Sequence, residues 1–194
     1  MNNMINRLAE ICREHPISEK WLLAHSRRTG FQWLDRLAAA GISPVNMRVR
    51  TIKFMAFELA APYLARPKLD FMSSGDGAFC AGLLFSRLRG KGGGYLLEQP
   101  PGEGLFDTVY SALTDLRLAG LTPDDLDPGR FEDPRKSIDL RLILKEYLHE
   151  LERRGLKDYA GVLELAIRRL NEDKGALPEG LIVILPGQIG RAHV

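Results

Sequence analysis

The residues best suited to chemistry lie in a short polar turn that joins an apolar run to an amphipathic stretch. The turn, AHSRRTG at positions 24–30, contains Ser26, Arg27, Arg28 and Thr29. A nucleotide-binding phosphate loop needs the pattern GxxxxGK[ST], whose glycines, lysine and hydroxyl hold phosphates and magnesium. This turn has one glycine and no lysine, so the pattern argues against ATP binding. Its arginines and the helix start expected near Thr29 predict contact with DNA phosphate or another anion, with a solvated basic turn as the alternative.

Three further basic residues follow along the next predicted strand and helix, at Arg48, Arg50 and Lys53. With the turn they form a candidate basic patch on the rim of a parallel sheet, at positions that a patch contacting DNA phosphates would use. Phe31 and Trp33 are able to stack on bases, although aromatic residues at helical spacing are more often core residues. The sequence therefore predicts DNA or anion contact, with no catalytic, cofactor-binding or metal-ligating residue.

The histidines and cysteines do not suggest a metal site or a nucleophile. His15, His25 and His149 are far apart, and none belongs to an HxxxH or HExxH pattern. Cys12 and Cys80 form no CxxC pair, so we expect reduced thiols in the core. Ser26 lies beside His25, but no GxSxG pattern supports a catalytic triad.

Several conspicuous residues have simpler structural interpretations. The KGGG run at 91–94 predicts a flexible loop, because it does not join a strand to a helix as a nucleotide motif would. Ser137 is a candidate cap for a long helix. Asp139 and Asp158 are expected at helix starts, where a carboxylate favours the helix dipole.

Length and charge set broad limits on the chain. Its 194 residues suffice for one domain, or for one domain and part of another. The net charge of +2 is too small to predict nucleic-acid binding from the average composition. No apolar run approaches the roughly 20 residues that span a bilayer, and the first 15 residues lack the apolar core of a signal peptide. We therefore expect a soluble, cytoplasmic protein without membrane contact.

The periodicity of apolar residues predicts an α/β fold with a parallel sheet. A helix at 4–14 precedes strands at 21–24 and 45–49, each followed by a helix. Helical patterns then dominate until the buried strand GLIVILPG near 180–185. We predict an α/β core at 1–65 and 176–187, interrupted by an all-helical insertion at 66–175.

Five stretches of the chain carry a family resemblance. LLAHSRRTGFQWLDRLAAAG and VNMRVRTIKFMAFELA resemble the N-terminus of the AddB-type proteins of AddAB helicase–nucleases. LRLAGLTPDDL and IDLRLILKEYLHELERRGLKDYAGVLELA resemble the helices of their 1B-like region, and Asp158-Tyr159 opens the last of these helices. LIVILPG would be the next strand of the helicase-like sheet.

The resemblance implies a degenerate P-loop fold of the superfamily 1 helicase type, without the phosphate-loop lysine. It further implies DNA and a helicase subunit of the AddA type as partners, and a role in double-strand-break repair. The family's PD-(D/E)XK nuclease, its Mg²⁺ and an iron–sulfur cluster would belong to a C-terminal part beyond these residues. No catalytic residue is therefore assigned to this chain.

Two other functions fit the same residues. One is a small α/β domain that binds a nucleotide or anion in a pocket lined by Ser26, Arg27 and Thr29. The other is a helical protein-interaction module with an apolar groove among residues 105–170. The last six residues, IGRAHV at 189–194, resemble a translated sequencing adapter. We expect an artefact there, and a natural chain that continues beyond Gly187.

Overall fold

A computed structural model describes residues 2–66 and 69–186, and over these residues the chain is α/β with most residues in helices. The helices are α1 (Asn2–Glu14), α2 (Arg27–Ala39), α3 (Ile52–Leu64), α4 (Ser74–Leu88), α5 (Glu103–Leu118), α6 (Pro134–Arg154) and α7 (Tyr159–Glu172). The strands are β1 (Lys20–Leu23), β2 (Met47–Arg50), β3 (Asp70–Phe71), β4 (Leu156–Lys157) and β5 (Ile182–Ile184). The expected adapter-like tail lies outside the described residues.

The chain divides into two compact units. Over the described residues, the first contains 2–61 and 165–186, and the second contains 62–66 and 69–164. Both boundaries fall within helices, α3 and α7.

The first unit is built on a three-stranded parallel sheet in the order β2-β1-β5. The central strand β1 is buried along its whole length. Leu22 of β1 aligns with Val49 of β2 and with Ile184 of β5. Leu22 and Ile184 share one core cluster with Leu8 of α1 and Leu37 of α2, so the sequence prediction of a parallel sheet covered by helices is confirmed.

The start of β1 contains a fully buried lysine. Lys20 has no exposed surface, and its Nζ donates to the carbonyl oxygens of His15 at 2.5 Å and Ser18 at 2.7 Å. His15 directly follows the last residue of α1, where a cation is favoured by the helix dipole. The buried ammonium thereby anchors the connection between α1 and the sheet.

The second unit is helical apart from one short pair of strands. β3 and β4 pair in parallel, with Asp70 opposite Leu156 and Phe71 opposite Lys157. This pair corrects the expectation of an all-helical insertion, and two-residue strands are too short to show the period of two. The core of this unit joins α4, α5 and α6 and is formed by Leu84, Phe85, Val109, Leu113, Ile143, Leu144 and Tyr147, among others.

The glycine-rich segment after α4 is a loop, as predicted, and its backbone is held by a buried carboxylate. Asp139 is fully buried and accepts the N–H groups of Gly93, Tyr95 (2.9 Å), Leu96 (2.7 Å) and Leu97 (3.2 Å). Such hydrogen bonds offset the free-energy cost of burying a carboxylate. Asp139 therefore binds the loop instead of sitting at a helix start.

The start of α6 also differs from the prediction. The helix begins at Pro134, and Asp133 is its N-cap, accepting the N–H of Arg135. Ser137 is buried one turn further along, where its hydroxyl donates to the carbonyl of Leu126 at 2.8 Å. Proline is well suited to the first position of a helix, which explains why α6 begins at Pro134, three residues before the predicted cap.

Asp158 lies at a helix start, as predicted, but it has a second role. It directly precedes α7 and accepts the N–H of Gly161 at 2.8 Å. Arg117 of α5 also donates to both carboxylate oxygens, at 2.7 and 2.8 Å, and Tyr147 donates its hydroxyl at 3.2 Å. The aspartate thus links three helices of the second unit through one buried network.

Candidate anion-binding site

The predicted basic turn lies at the edge of the sheet where β1 and β2 both end. The strands are parallel, and Leu23 at the end of β1 aligns with Arg50 at the end of β2. α2 begins after Ser26, and α3 begins after Thr51. In open α/β sheets, ligands bind outside the carboxyl ends of the strands, so this edge is where a site is expected.

Both helix starts at this edge are capped by a hydroxyl. Ser26 Oγ accepts the N–H of Thr29 at 3.1 Å and lies 2.9 Å from the Thr29 hydroxyl oxygen. Thr51 Oγ1 accepts the N–H of Phe54 at 3.2 Å. α2 begins two residues before the predicted Thr29, because Ser26 provides the cap. The positive ends of two helix dipoles therefore point to the same edge of the sheet.

The single glycine of the turn serves helix packing. A Cβ at Gly30 would lie 2.2 Å from Cγ1 of Val49, so only glycine allows α2 to approach β2 this closely. Gly30 is buried and donates its N–H to the Ser26 carbonyl at 3.1 Å as part of the first helical turn. It does not belong to a phosphate-cradling loop of the GxxxxGK[ST] type.

A small cavity opens beside the two helix starts. Its volume is about 100 Å³, and it is lined by Arg27, Val49, Arg50, Thr51 and Phe54. Sites for small molecules typically measure about 300–1,000 Å³. A cavity of this size suits a single phosphate group better than a whole nucleotide.

Arg50 is the most restrained cation of this site. Its guanidinium carbon lies 4.9 Å from the ring centre of Trp21 and 5.3 Å from that of Phe54. Nη1 lies 2.9 Å from Oε2 of Glu58, and the side chain is only 15% exposed. The buried Nε has no hydrogen-bond partner among the described residues. The ring stacking and the ion pair hold the guanidinium plane in place, while one donor stays unsatisfied.

The second arginine of the cavity also stacks on an aromatic ring. The guanidinium carbon of Arg27 lies 5.9 Å from the ring centre of Phe31. Phe31 and Phe54 are 47% and 51% exposed, which is unusual for phenylalanine and leaves each ring open to a further contact. The edge therefore carries two pairs of an arginine and an exposed phenylalanine.

The remaining predicted residues do not line the cavity. Arg28 is exposed at the second position of α2, and Lys53 is exposed in the first turn of α3. Arg48 lies elsewhere: it aligns with Trp21, two residues before the end of β2, and its Nε is 3.5 Å from Oε1 of Glu19. Arg48 thus does not line the cavity, since two strand residues span about 6.6 Å.

Three residues that line the cavity, Val49, Thr51 and Phe54, were not among the predicted contacts. The signal available in the sequence was the run RTIKF at 50–54, which places an arginine, a cap and an aromatic residue within one turn of a strand end. Trp33, considered for base stacking, instead packs half-buried against the core of the first unit.

No protein-family model matches the chain, and a search of the curated proteins finds none that matches it.

Two further observations limit the chemistry of the described residues. No three His, Cys, Asp or Glu side chains within residues 2–66 and 69–186 are grouped so that they could hold a metal ion. Over the same ranges, no helix is long and apolar enough to cross a membrane.

Proposed function

We propose that this chain is a non-catalytic, N-terminal part of a helicase–nuclease subunit that repairs DNA double-strand breaks. In this proposal the parallel sheet is a degenerate helicase-like scaffold, and the edge at the ends of β1 and β2 contacts DNA. A helicase subunit of the AddA type is the proposed partner. The proposal rests on the resemblance of the sequence and on the chemistry of the sheet edge.

The observation that carries the DNA contact is the convergence of Arg27 and Arg50 on one cavity. The residues are 23 positions apart in sequence, and the parallel pairing of β1 with β2 brings them together. Two capped helix starts add partial positive charge beside the same cavity. Guanidinium groups bind phosphate well, because their donors match the spacing of phosphate oxygens.

The exposed rings of Phe31 and Phe54 favour a nucleic acid over a free anion. Each ring has an arginine on one side and remains about half exposed. Bases stack on such rings with little dependence on sequence. Arg28 and Lys53 add charge for backbone contacts nearby.

The cavity volume argues against the alternative of a nucleotide-binding domain. A cavity of about 100 Å³ is too small for a nucleotide, and the Ser26 hydroxyl is already engaged with Thr29. We therefore expect ATP at millimolar concentration not to displace DNA more than inorganic phosphate does.

Mg²⁺ and an iron–sulfur cluster are assigned, by resemblance, to the nuclease part of the family. The described residues offer no grouped set of ligands for either. Cys12 is buried in the first unit and Cys80 is half-buried in the second, which does not fit a cluster site. We derive no hydrolytic step from these residues.

The DNA contact is tested by fluorescence anisotropy of a labelled oligonucleotide with the wild-type chain, Arg27→Gln and Arg36→Gln. Both arginines are exposed residues of α2, but Arg36 lies in its last turn, away from the sheet edge. We expect Arg27→Gln to weaken binding several-fold and to reduce the salt slope by about 1, because one phosphate contact is lost. Arg36→Gln should leave both unchanged. Equal effects of the two substitutions, or no binding by the wild type, would contradict the proposal.

A further inference from the structure

Helix α4 of the second unit carries large apolar side chains on two faces. Leu84 and Phe85 are buried in the core of the unit. Phe79 and Leu83, one helical turn apart, are 70% and 51% exposed. A helix that is apolar on two faces is normally packed against other residues on both faces. The exposed apolar face of α4 is therefore a candidate contact surface.

The exposed side chains of α4 form one wall of a groove. The groove has a volume of about 290 Å³, and Phe79 and Leu83 line it together with Phe71, Arg154 and Leu156. Its volume is at the lower limit for small-molecule sites and matches one or two apolar side chains. The groove is therefore suited to side chains presented by another protein.

The side chains that line this groove, among them Asp70, Asp76 and Arg154, carry a net charge of −1. Neither aspartate has an ion-pair partner among the described residues, whereas Arg154 shares the Glu150 carboxylate with Arg153. An occupant that carries lysine or arginine beside its apolar residues would complement this charge.

The backbone of β3 is poorly suited to accept an added strand. The N–H of Phe71 donates to Oδ1 of Asp70 at 2.7 Å, so this donor is already used. The N–H groups of Asp70 and Met72 donate to the carbonyls of Gly155 and Lys157, at 2.9 and 2.8 Å. Recognition by side chains, as when an amphipathic helix lies in a groove, fits better than strand addition.

We propose that this groove is a docking site for a basic amphipathic helix of a partner protein. Apolar residues of that helix, spaced three or four positions apart, lie against Phe79 and Leu83. Its lysine or arginine side chains face Asp70 and Asp76. The proposal does not depend on the DNA contact of the first unit.

The test uses the whole chain and a displayed library of helical peptides. The selected peptides are synthesised, and their affinities are measured by fluorescence anisotropy for the wild type, Leu83→Ser, Leu118→Ser and Asp70→Asn. Leu118 is a matched control, because it is another helical leucine with 45% exposure in the same unit. Asp70→Asn keeps an oxygen to accept the Phe71 N–H while removing the charge.

We expect selected peptides to share apolar residues at helical spacing and flanking lysine or arginine. Leu83→Ser should weaken their binding about tenfold or more, while Leu118→Ser has no effect. Asp70→Asn should weaken binding and reduce its dependence on salt. Selection of acidic peptides, equal binding to Leu83→Ser and the wild type, or a failure to select any peptide would each overturn the proposal.

Discussion

Arg50 and Arg117 are both largely buried, and their surroundings differ. Arg50 lies between two aromatic rings and beside Glu58, and its buried Nε lacks a partner among the residues that the structure describes. Arg117 is 8% exposed and donates twice to Asp158. The guanidinium of Arg117 is bound by carboxylates within its own unit, whereas the side chain of Arg50 lines a cavity. This difference is why we assign binding to Arg50 and a structural role to Arg117.

The Arg117–Asp158 pair makes stability depend on pH. Burial by itself raises the pKa of the Asp158 carboxyl, but the hydrogen bonds and charge of Arg117 outweigh it and hold the pKa below its ordinary value. A carboxyl with a lowered pKa in the folded state contributes stability above its unfolded pKa, which is about 4. That contribution is lost as the pH falls through the lower, folded pKa. We expect the free energy of unfolding, measured with urea, to decrease steadily below about pH 4.

Asp158→Asn tests the same pair at neutral pH. The substitution keeps the shape but removes the close, buried counter-charge of the Arg117 guanidinium and leaves only the exposed Glu164, 3.6 Å away. We therefore expect a loss of about 3–5 kcal/mol in the free energy of unfolding. The free energy of unfolding of this variant should also decrease less steeply at acid pH than that of the wild type. Asp124→Asn is the control, because Asp124 is 87% exposed and its bond to Arg141 lies at the surface. Similar losses for both variants would show that burial of the pair is not what stabilises the unit.

At the scale of elements, the loop between α4 and α5 depends on close contact with α6. A Cβ at Gly92 would lie 2.0 Å from Oδ1 of Asp139 and 2.5 Å from Cδ1 of Leu97. We expect Gly92→Ala to reduce the free energy of unfolding by about 1–3 kcal/mol, because the carboxylate or the loop must move. Gly104→Ala, within α5 and with open space at its Cβ, should be neutral or stabilising by up to about 1 kcal/mol. Urea denaturation compares the two, and a neutral Gly92→Ala would contradict the tight packing.

The Asp139 carboxylate itself should keep the loop closed. Asp139→Ala removes the acceptor of four N–H groups, and we expect a loss above about 3 kcal/mol in the free energy of unfolding. Hydrogen exchange at Leu96 and Leu97 should accelerate more than exchange at Leu113, which lies in the core of α5. Uniform acceleration would indicate global destabilisation instead of release of the loop.

The order of the main helices and of the three longer strands could be predicted from apolar periodicity. The β3–β4 pair could not, because two residues carry no measurable period. The hydrogen bonds that hold the glycine loop could not be predicted either, since the Asp139 carboxylate is 42 to 46 positions away from the loop residues in sequence. Arg27 and Arg50 were both predicted as contacts, but their meeting at one cavity depends on the register of β1 with β2. The local sequence pattern predicts the elements and the candidate residues. The pairing of the strands determines which of those residues lie close together.

At the scale of the whole molecule, the two units carry different surface chemistry. The first unit presents arginines, helix starts and exposed rings at one sheet edge, which suits a phosphate backbone and bases. The second presents an apolar groove with two carboxylates in its lining, which suits a basic protein helix. A chain with a net charge of only +2 can thus carry separate sites for two kinds of partner.

The most direct test of the central claim is an NMR titration of the isotopically labelled chain with a short DNA oligonucleotide. We expect the largest amide shift changes at residues 26–31 and 50–54, around the ends of β1 and β2, and smaller ones at Arg48. Shift changes confined to other residues, or none at concentrations where anisotropy detects binding, would contradict a DNA contact at this sheet edge.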